Sequence, residues 1–237
     1  MTPVASMGPS LRIFIGWDSR EPLAYAVLAD SILRHASVPV SITPLSLSSL
    51  RRIYTRARGS TESTEFSLTR FLVPWLSSYA GMSLFLDCDM LCQADVLDLL
   101  LYPLADPGKA VYVVPHDYTP RDATKFLGQV QTAYPRKNWS SVMLFDNAKC
   151  TALTPEYVNT ATGLELHRFQ WLFDEQIGAL PIDWNHLVGE YEPNERAKLL
   201  HWTLGGPWFP DHCEVDHAEL WRAAYQRLLG VPVGVAA

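Results

Sequence analysis

Two aspartates separated by one residue, Asp87 and Asp89, directly follow the apolar run at 83–86 and are well placed to do chemistry. In an extended segment, residues i and i+2 point the same way, so both carboxylates can reach one cation. Hard oxygen ligands suit Mn²⁺ or Mg²⁺, and such an ion can bridge a diphosphate. The position after a strand favours this interpretation over the alternative, in which the two aspartates cap a turn and the next helix.

A histidine further along the chain offers a third ligand. His201 lies a few residues before Gly205, Gly206 and Trp208. A neutral imidazole coordinates Mn²⁺ beside carboxylates, and a glycine pair lets backbone N–H groups approach a phosphate closely. Taken alone, His201 is an ordinary core or surface histidine and the glycine pair an ordinary turn. Their combination with the aspartate pair predicts a metal and phosphate site.

The N-terminal half contains the elements that would hold these residues. Residues 11–16 predict a buried strand, 22–35 a helix that starts at Pro22, and 40–45 a second strand. This β-α-β opening favours a parallel sheet, whose carboxyl edge is where ligands bind in α/β folds. The fold class predicted is α/β, with a mixed, mostly parallel central sheet flanked by helices and a nucleotide-binding N-terminal half.

The remaining segments complete this prediction. Residues 46–65 read as a loop with at most a short helix, and the apolar side of helix 22–35 includes Leu23 and Leu33. Helices are predicted over 67–79, over 94–101 with Asp95 as N-cap, over 166–177, and over 216–229 with a capping box from Asp216 and Glu219. Strands are predicted at 83–86, 111–114 and 142–145, and a short extended segment at 180–184. Residues 11–237 are expected to form one domain, preceded by a disordered tail at 1–10.

Composition excludes several functional classes. The chain has 237 residues, a formal net charge of −6 and 48% hydrophobic residues, which excludes a disordered protein and speaks against nucleic-acid binding. No apolar run reaches the length of a membrane span, and no signal peptide is visible at the N-terminus. The four cysteines match no zinc or disulfide pattern, which favours a reducing cytoplasm and buried thiols.

The sequence resembles the family 8 glycosyltransferases, retaining enzymes of the GT-A fold, over roughly residues 11–209. The likeness lies in five segments: 12–18 (RIFIGWD), 66–74 (FSLTRFLVP), 138–145 (NWSSVMLF), 174–176 (DEQ) and 201–208 (HWTLGGPW). The resemblance implies a metal-dependent transfer of a hexose-type sugar from a nucleotide-sugar donor, in which the nucleotide is UDP. The acceptor would be a hydroxyl of a glycan, a glycolipid or a protein, as in bacterial-type surface-glycan or glycoconjugate synthesis.

The resemblance also assigns roles residue by residue. The metal ligands would be Asp87, Asp89 and His201. The catalytic residues would be Arg70, which faces the donor, and Asp174 and Glu175, which lie beside the transferred sugar. The donor-binding residues would be Gly16, Asp18, Arg70, Asp87, Cys88, Asp89, Asn138, Ser141, Gly205, Gly206 and Trp208. Where the family usually has a lysine that neutralises the leaving diphosphate, this chain has Gly206.

Two other functions compete with this interpretation. A phosphatase of the haloacid-dehalogenase type also places Asp-x-Asp after a strand, but normally after the first one, and here a β-α-β unit comes first. A nucleotide-binding scaffold on a transferase fold is the non-enzymatic alternative, because fold alone does not establish activity.

Overall fold

The computed structural model describes residues 11–59, 62–117, 124–130 and 135–230. The predicted tail at 1–10 lies outside these ranges, and the prediction of one domain over 11–237 stays a prediction. The strands are β1 Arg12–Gly16, β2 Ser41–Leu45, β3 Met82–Leu86, β4 Met90–Cys92, β5 Val111–Val113, β6 Thr124–Lys125, β7 Gln129–Val130, β8 Val142–Asp146, β9 Ile177–Ala179, β10 His186–Leu187 and β11 Leu199–His201. The α-helices are α1 Pro22–His35, α2 Leu47–Leu50, α3 Val73–Leu76, α4 Leu101–Ala105, α5 Pro155–Thr160, α6 Gly163–His167 and α7 Ala218–Leu228.

Three sheets form within the described ranges: β6 and β7 pair with each other alone, and the other two sheets carry the candidate site. The larger has the order β2-β1-β3-β8-β5-β9, in which β8 runs antiparallel to both of its neighbours and the other pairs are parallel. The smaller has the order β10-β11-β4. This confirms the predicted α/β class with a mixed, mostly parallel central sheet.

The first β-α-β unit forms as the sequence predicts. Ile13 and Ile15 of β1 are fully buried, as expected for a central strand covered on both faces. Helix α1 begins at Pro22, whose missing N–H is no loss in the first turn. Its buried side centres on Val27 and Leu28, and two residues assigned to the apolar side, Leu23 and Leu33, are exposed.

The predicted helix over 67–79 is shorter and broken. A 3-10 turn at Thr69–Leu72 leads into α3, and Pro74 sits at the start of α3 because its ring tolerates only the first turn of a helix. Ser78 and Tyr79 take positive φ and end it. Asp95 does act as an N-cap, accepting from the backbone N–H of Leu97 at 3.0 Å, although the helix that follows begins as a 3-10 segment.

Three local predictions in the C-terminal third are wrong. The helix predicted over 166–177 starts earlier, at Gly163, because a capping box of Thr162 and Glu165 fixes its first turn, and positive φ at Phe169 stops it from continuing. The extended segment predicted over 180–184 ends at Pro181, because a 3-10 segment begins at Ile182. Helix α7 has His217, not Asp216, as its N-cap, and no side-chain cap is made there.

The core is continuous across the large sheet, and a smaller cluster joins α1 and α7 through Val27, Leu200, Trp202 and Trp221. Three cysteines are buried and one, Cys213, is exposed, which agrees with the expectation of buried thiols for most of them. Within the described ranges, no helix is both long enough and apolar enough to span a bilayer.

Candidate metal and donor site

The Asp87-Cys88-Asp89 segment is the point where the chain passes from one sheet to the other. Strand β3 of the large sheet ends at Leu86, and β4 of the small sheet begins at Met90. The backbone N–H of Asp87 donates to the Ser141 carbonyl at 3.0 Å, and the Asp89 carbonyl accepts from the Trp202 N–H at 3.0 Å. Each sheet therefore fixes one end of the motif.

Three potential metal ligands converge here. Asp87, Asp89 and His201 each offer one ligand atom, and these atoms lie within 4.8 Å of one another. The approach of His201 follows from the small sheet, because β11 pairs with β4 and places His201 opposite Met90. The Nε2 atom of His201 is 3.2 Å from Asp89 Oδ1. This brings together the three residues for which the sequence predicted a shared cation.

The donor set fits a divalent cation. Carboxylate oxygens and a neutral imidazole suit Mn²⁺, and the oxygens alone suit Mg²⁺. His201 Nε2 is buried and forms no hydrogen bond with any described residue. A buried nitrogen next to a carboxylate is stabilised when a cation lies between them.

Asn185 is a residue that the sequence analysis missed. It is fully buried, and its Oδ1 lies 2.8 Å from His201 Nδ1 while its Nδ2 donates to the Asn138 carbonyl at 3.3 Å. In the sequence, Asn185 is just one polar residue after Trp184, at the end of the 3-10 segment Ile182–Asn185. Nothing near it in the sequence indicates that its partner is His201.

Arg70 lies on Asp87. Its Nη1 is 2.7 Å from Asp87 Oδ1 and 2.9 Å from the Ser140 carbonyl, and its guanidinium stacks between the Phe66 and Phe85 rings at 5.3 and 5.0 Å. The side chain is buried, so these contacts hold it firmly. Arg70 thus reaches the predicted site, but it does so through a metal ligand.

Behind Arg70 lies a buried histidine. His167 Nδ1 is 2.7 Å from Ser140 Oγ, and burial together with the charge of Arg70 lowers the pKa of His167 to about 3. A neutral His167 supports the Ser140 turn that receives Arg70.

Asp18 and Gly16 build the loop after β1. Asp18 is fully buried, accepts from Arg20 Nε at 2.8 Å and also accepts from the backbone N–H of Glu65 at 3.1 Å. Burial alone would raise the pKa of Asp18, but these hydrogen bonds lower it below its ordinary value. Gly16 is required by the Phe66 ring, which would lie 2.4 Å from a Cβ at that position. Their predicted contact with a donor stays a prediction.

The Cys88 side chain packs into the hydrophobic core. It is fully buried in the core, and its thiol lies 3.5 Å from Glu21 Oε2. Burial raises the pKa of Cys88, and burial reinforced by the charges of Asp89 and Asp18 raises the pKa of Glu21 to about 8. Only the backbone of Cys88 remains available for the predicted donor contact.

The glycine pair after β11 has a packing role that the sequence did not reveal. A Cβ on Gly205 would lie 2.7 Å from the His212 ring, and one on Gly206 would lie 2.1 Å from the Trp208 ring. The Gly205 N–H already donates to the Trp202 carbonyl at 2.9 Å, so it is engaged within its own turn. Trp208, half-buried, packs against Trp202 and Trp221 with ring centroids 6.2 and 5.4 Å apart.

Asn138 and Ser141 flank the site at the start of β8. Asn138 adopts positive φ, and its carbonyl accepts from the Ser141 N–H at 3.3 Å. Through the Ser141 carbonyl this turn holds the Asp87 backbone. Both residues are therefore close to the metal group, and their predicted donor contact stays a prediction.

Asp174 and Glu175 are not brought to this edge of the sheet. They precede Ile177, which pairs with Val111, and Val111 pairs with Phe145, four residues along β8 from Ser141. Four residues of extended strand put Phe145 about 13 Å from Ser141 along the strand direction. The three strand spacings from β9 to β3 add about 14 Å across the sheet. Asp174 is largely exposed and pairs with Arg136 at 2.7 Å. The described contacts do not bring them to the metal group, and their place beside the transferred sugar stays a prediction.

His116, also missed, lies near the metal group. It follows β5, and its Nδ1 is 3.0 Å from Tyr191 Oη. Burial, with the nearby rings of His201 and His186, lowers the pKa of His116 to about 3 and keeps it neutral. It lies three residues beyond the short strand β5, and nothing in the neighbouring sequence marks it as part of the site.

Comparison with known proteins places the chain among relatives. No protein-family model matches the sequence. Protein CDI of Arabidopsis thaliana is 50% identical over 219 residues, which cover 89% of this chain and 84% of that protein. The chain belongs to the Protein CDI family. The name of that relative describes no activity. The solved structures similar to the chain provide information about the fold.

Solved structures similar to this Protein CDI family member include several glycosyltransferases. The bifunctional glycosyltransferase WbbM aligns with 95% of the chain at a TM-score of 0.66 and 17% identity, and the chain spans half of WbbM. GlyE of Streptococcus pneumoniae aligns at 0.57 and 15% identity, covering 96% of this chain and 66% of GlyE. The galactosyltransferase LgtC, solved with donor and acceptor sugar analogues, aligns at 0.54 and 12% identity, covering 94% of this chain and 98% of LgtC. At these identities the likeness shows the fold, which is the predicted GT-A fold.

Proposed function

We propose that this member of the Protein CDI family is a metal-dependent glycosyltransferase that moves a sugar from a nucleotide-sugar donor to an acceptor hydroxyl. The observation that carries the proposal is the Asp87, Asp89 and His201 group, assembled at the carboxyl edge of β3 on a GT-A fold. Open α/β sheets bind ligands at this edge.

The finer parts of the proposal follow the resemblance to family 8. They are Mn²⁺ or Mg²⁺ as the ion, UDP as the nucleotide, a hexose-type sugar and retention of its anomeric configuration. The acceptor is a glycan, a glycolipid or a protein. A cytoplasmic location, expected from the cysteine content, belongs to the same proposal.

The chemistry required is stabilisation of a leaving diphosphate. A bound divalent ion supplies Lewis-acid stabilisation of that negative charge. Asp87 and Asp89 would hold the ion through carboxylate oxygens and His201 through Nε2. Arg70 fixes the Asp87 carboxylate and adds a buried positive charge to the same region. Fixed charges of this kind form a large catalytic term because they need no reorganisation during the reaction.

The placement of Asp174 and Glu175 bears on the route of retention. A double displacement needs a nucleophile beneath the sugar, and these two residues were the candidates. Because β9 carries them to the other edge of the sheet, we favour a front-side attack guided by the leaving phosphate. A haloacid-dehalogenase-type phosphatase is disfavoured, since Asp87 follows the third strand and is paired with Arg70.

A thermal-shift titration tests the proposal. Wild type, Asp89→Ala and the control Asp98→Ala, whose side chain is half-exposed and pairs with Lys198, are titrated with UDP, GDP and phosphate, with and without Mn²⁺. A ligand that binds only the folded state raises the midpoint. We expect stabilisation by one nucleoside diphosphate that needs Mn²⁺, is lost in Asp89→Ala and is kept in Asp98→Ala.

The other outcomes discriminate between functions. No shift with any nucleotide would refute the donor site. A shift with phosphate alone would favour a phosphatase. Nucleotide binding without slow hydrolysis of UDP-sugars would favour the scaffold, because an active transferase usually passes its donor to water in the absence of an acceptor.

A further inference from the structure

One buried amide joins the two halves of the candidate metal group. Asn185 is fully buried, with Oδ1 2.8 Å from His201 Nδ1 and Nδ2 3.3 Å from the Asn138 carbonyl. The Asn138 carbonyl also accepts from the Ser141 N–H, and the Ser141 carbonyl holds the Asp87 N–H. Asn185 therefore contacts one ligand directly and supports another through a single turn.

The orientation of this amide follows from its partners. A backbone carbonyl can only accept, so the NH₂ group of Asn185 must face Asn138. The amide oxygen then faces His201, and an oxygen acceptor requires a hydrogen on Nδ1. The same contacts that orient the amide thus determine the tautomer of the histidine.

The tautomer decides what His201 offers to the site. With hydrogen on Nδ1, the neutral ring carries its lone pair on Nε2, which lies 3.2 Å from Asp89 Oδ1. Two electron-rich atoms at that distance repel each other, and a cation beside them removes the repulsion. The opposite tautomer would place a hydrogen on Nε2, hydrogen-bond to Asp89 and close the site to a metal.

We propose that Asn185 is a positioning residue that holds His201 with hydrogen on Nδ1 and so prepares Asp87, Asp89 and His201 for a divalent cation. This inference rests on the proposed function, because it assumes that the group binds a metal. Outer partners of metal-bound histidines act in this way in other proteins, and their loss weakens metal binding by about 10- to 100-fold.

Manganese affinity tests the inference in three variants. Asn185→Leu removes the acceptor, and Asn185→Asp keeps an oxygen for Nδ1–H. Asn147→Leu is the matched control, since Asn147 is equally buried but bonds the Ala80 and Gly81 carbonyls at the opposite end of β8. Free Mn²⁺ is measured by electron paramagnetic resonance on folded protein, with the unfolding midpoint of each variant recorded.

We expect Asn185→Leu to bind Mn²⁺ about 10- to 100-fold more weakly, Asn185→Asp to restore most of the affinity, and Asn147→Leu to bind as wild type does even where it is less stable. Wild-type affinity in folded Asn185→Leu would overturn the inference. An equal loss in Asn147→Leu would also overturn it, because the effect would then be one of general stability.

A metal-free measurement keeps the inference testable without any asparagine variant. Long-range ¹H–¹⁵N spectra of histidine-labelled protein, recorded where the rings are neutral and assigned with His201→Gln, report which ring nitrogen carries the hydrogen. Hydrogen on Nδ1 of His201 is expected, and hydrogen on Nε2 in wild type would overturn the inference. Failure of wild type to bind Mn²⁺ would instead refute the proposed metal site, while these spectra would still show which tautomer His201 takes.

Discussion

The ion pair of Arg70 with Asp87 permits a quantitative prediction, because the chain contains a second pair with the same separation. Arg70–Asp87 and Arg136–Asp174 both have an N–O distance of 2.7 Å. The side chains of the first pair are 6% and 13% exposed, and those of the second are 21% and 78% exposed. Any difference in coupling between the pairs should therefore reflect burial and not contact distance.

The expected magnitudes differ severalfold. For charge centres about 4 Å apart at an effective dielectric constant of 20, the Coulomb energy is about 4 kcal/mol, whereas exposed pairs are worth about 0.2–1 kcal/mol. We expect a coupling free energy of about 2–4 kcal/mol for Arg70–Asp87 and below about 1 kcal/mol for Arg136–Asp174. The stacking of Arg70 on the aromatic rings cancels in such a cycle, since it is lost with and without Asp87.

Two double-mutant cycles measured by urea unfolding in the presence of a chelator give both values. The first uses Arg70→Met, Asp87→Asn and the double variant, and the second uses Arg136→Met, Asp174→Asn and their double variant. A coupling for Arg70–Asp87 no larger than that for Arg136–Asp174 would refute the reasoning, because burial would then have added nothing.

Three further predictions follow from single residues. Because burial raises the pKa of Glu21 to about 8, the native state keeps a proton that the unfolded chain loses above its ordinary pKa of 4.5. The free energy of unfolding therefore falls as pH rises toward 8, by up to about 1.4 kcal/mol per pH unit. Glu21→Gln should flatten this decline in metal-free urea titrations at pH 5–8, and an unchanged slope would contradict the prediction. Gly206→Ala should lower the free energy of unfolding by about 1–3 kcal/mol, since its Cβ would lie 2.1 Å from Trp208. Gly163→Ala should change it little, because the nearest atom to a Cβ there is 3.7 Å away. Equal effects of the two substitutions in thermal denaturation would disprove the steric argument. Glu175→Gln should keep donor turnover within severalfold of wild type, and a loss of about 10²-fold or more would show that this residue reaches the reacting sugar after all.

Residues close together in the sequence were predictable. The apolar run of β3 and the two aspartates after it specify a strand end with paired carboxylates, and spacing alone aligns Asp87 with Asp89. The burial of β1 and the start of α1 at Pro22 follow from equally local rules. His201 was found because it precedes a glycine pair, which is also a local pattern.

Residues that act through distant contacts were not predictable. Asn185 meets His201 across 16 positions and Glu21 meets Cys88 across 67, and neither type of residue marks its partner in advance. The position of Asp174 and Glu175 relative to the metal group was equally hidden in the sequence. The helix predicted over 166–177 ends at His167, so the acidic segment enters the amino end of β9, away from the site.

The passage of the chain between the sheets at Asp87-Cys88-Asp89 has a consequence for how the protein opens. Asp87 is anchored to the large sheet and His201 belongs to the small one, although the two are far apart in the sequence. A cation held by both would close a long loop of the chain, much as a covalent cross-link does, and would bind the two sheets into one cooperative unit. In the metal-free protein the small sheet should therefore exchange its amide hydrogens faster than the large sheet. When the cation and the nucleotide-sugar bind, their binding would be coupled to the local folding of the small sheet.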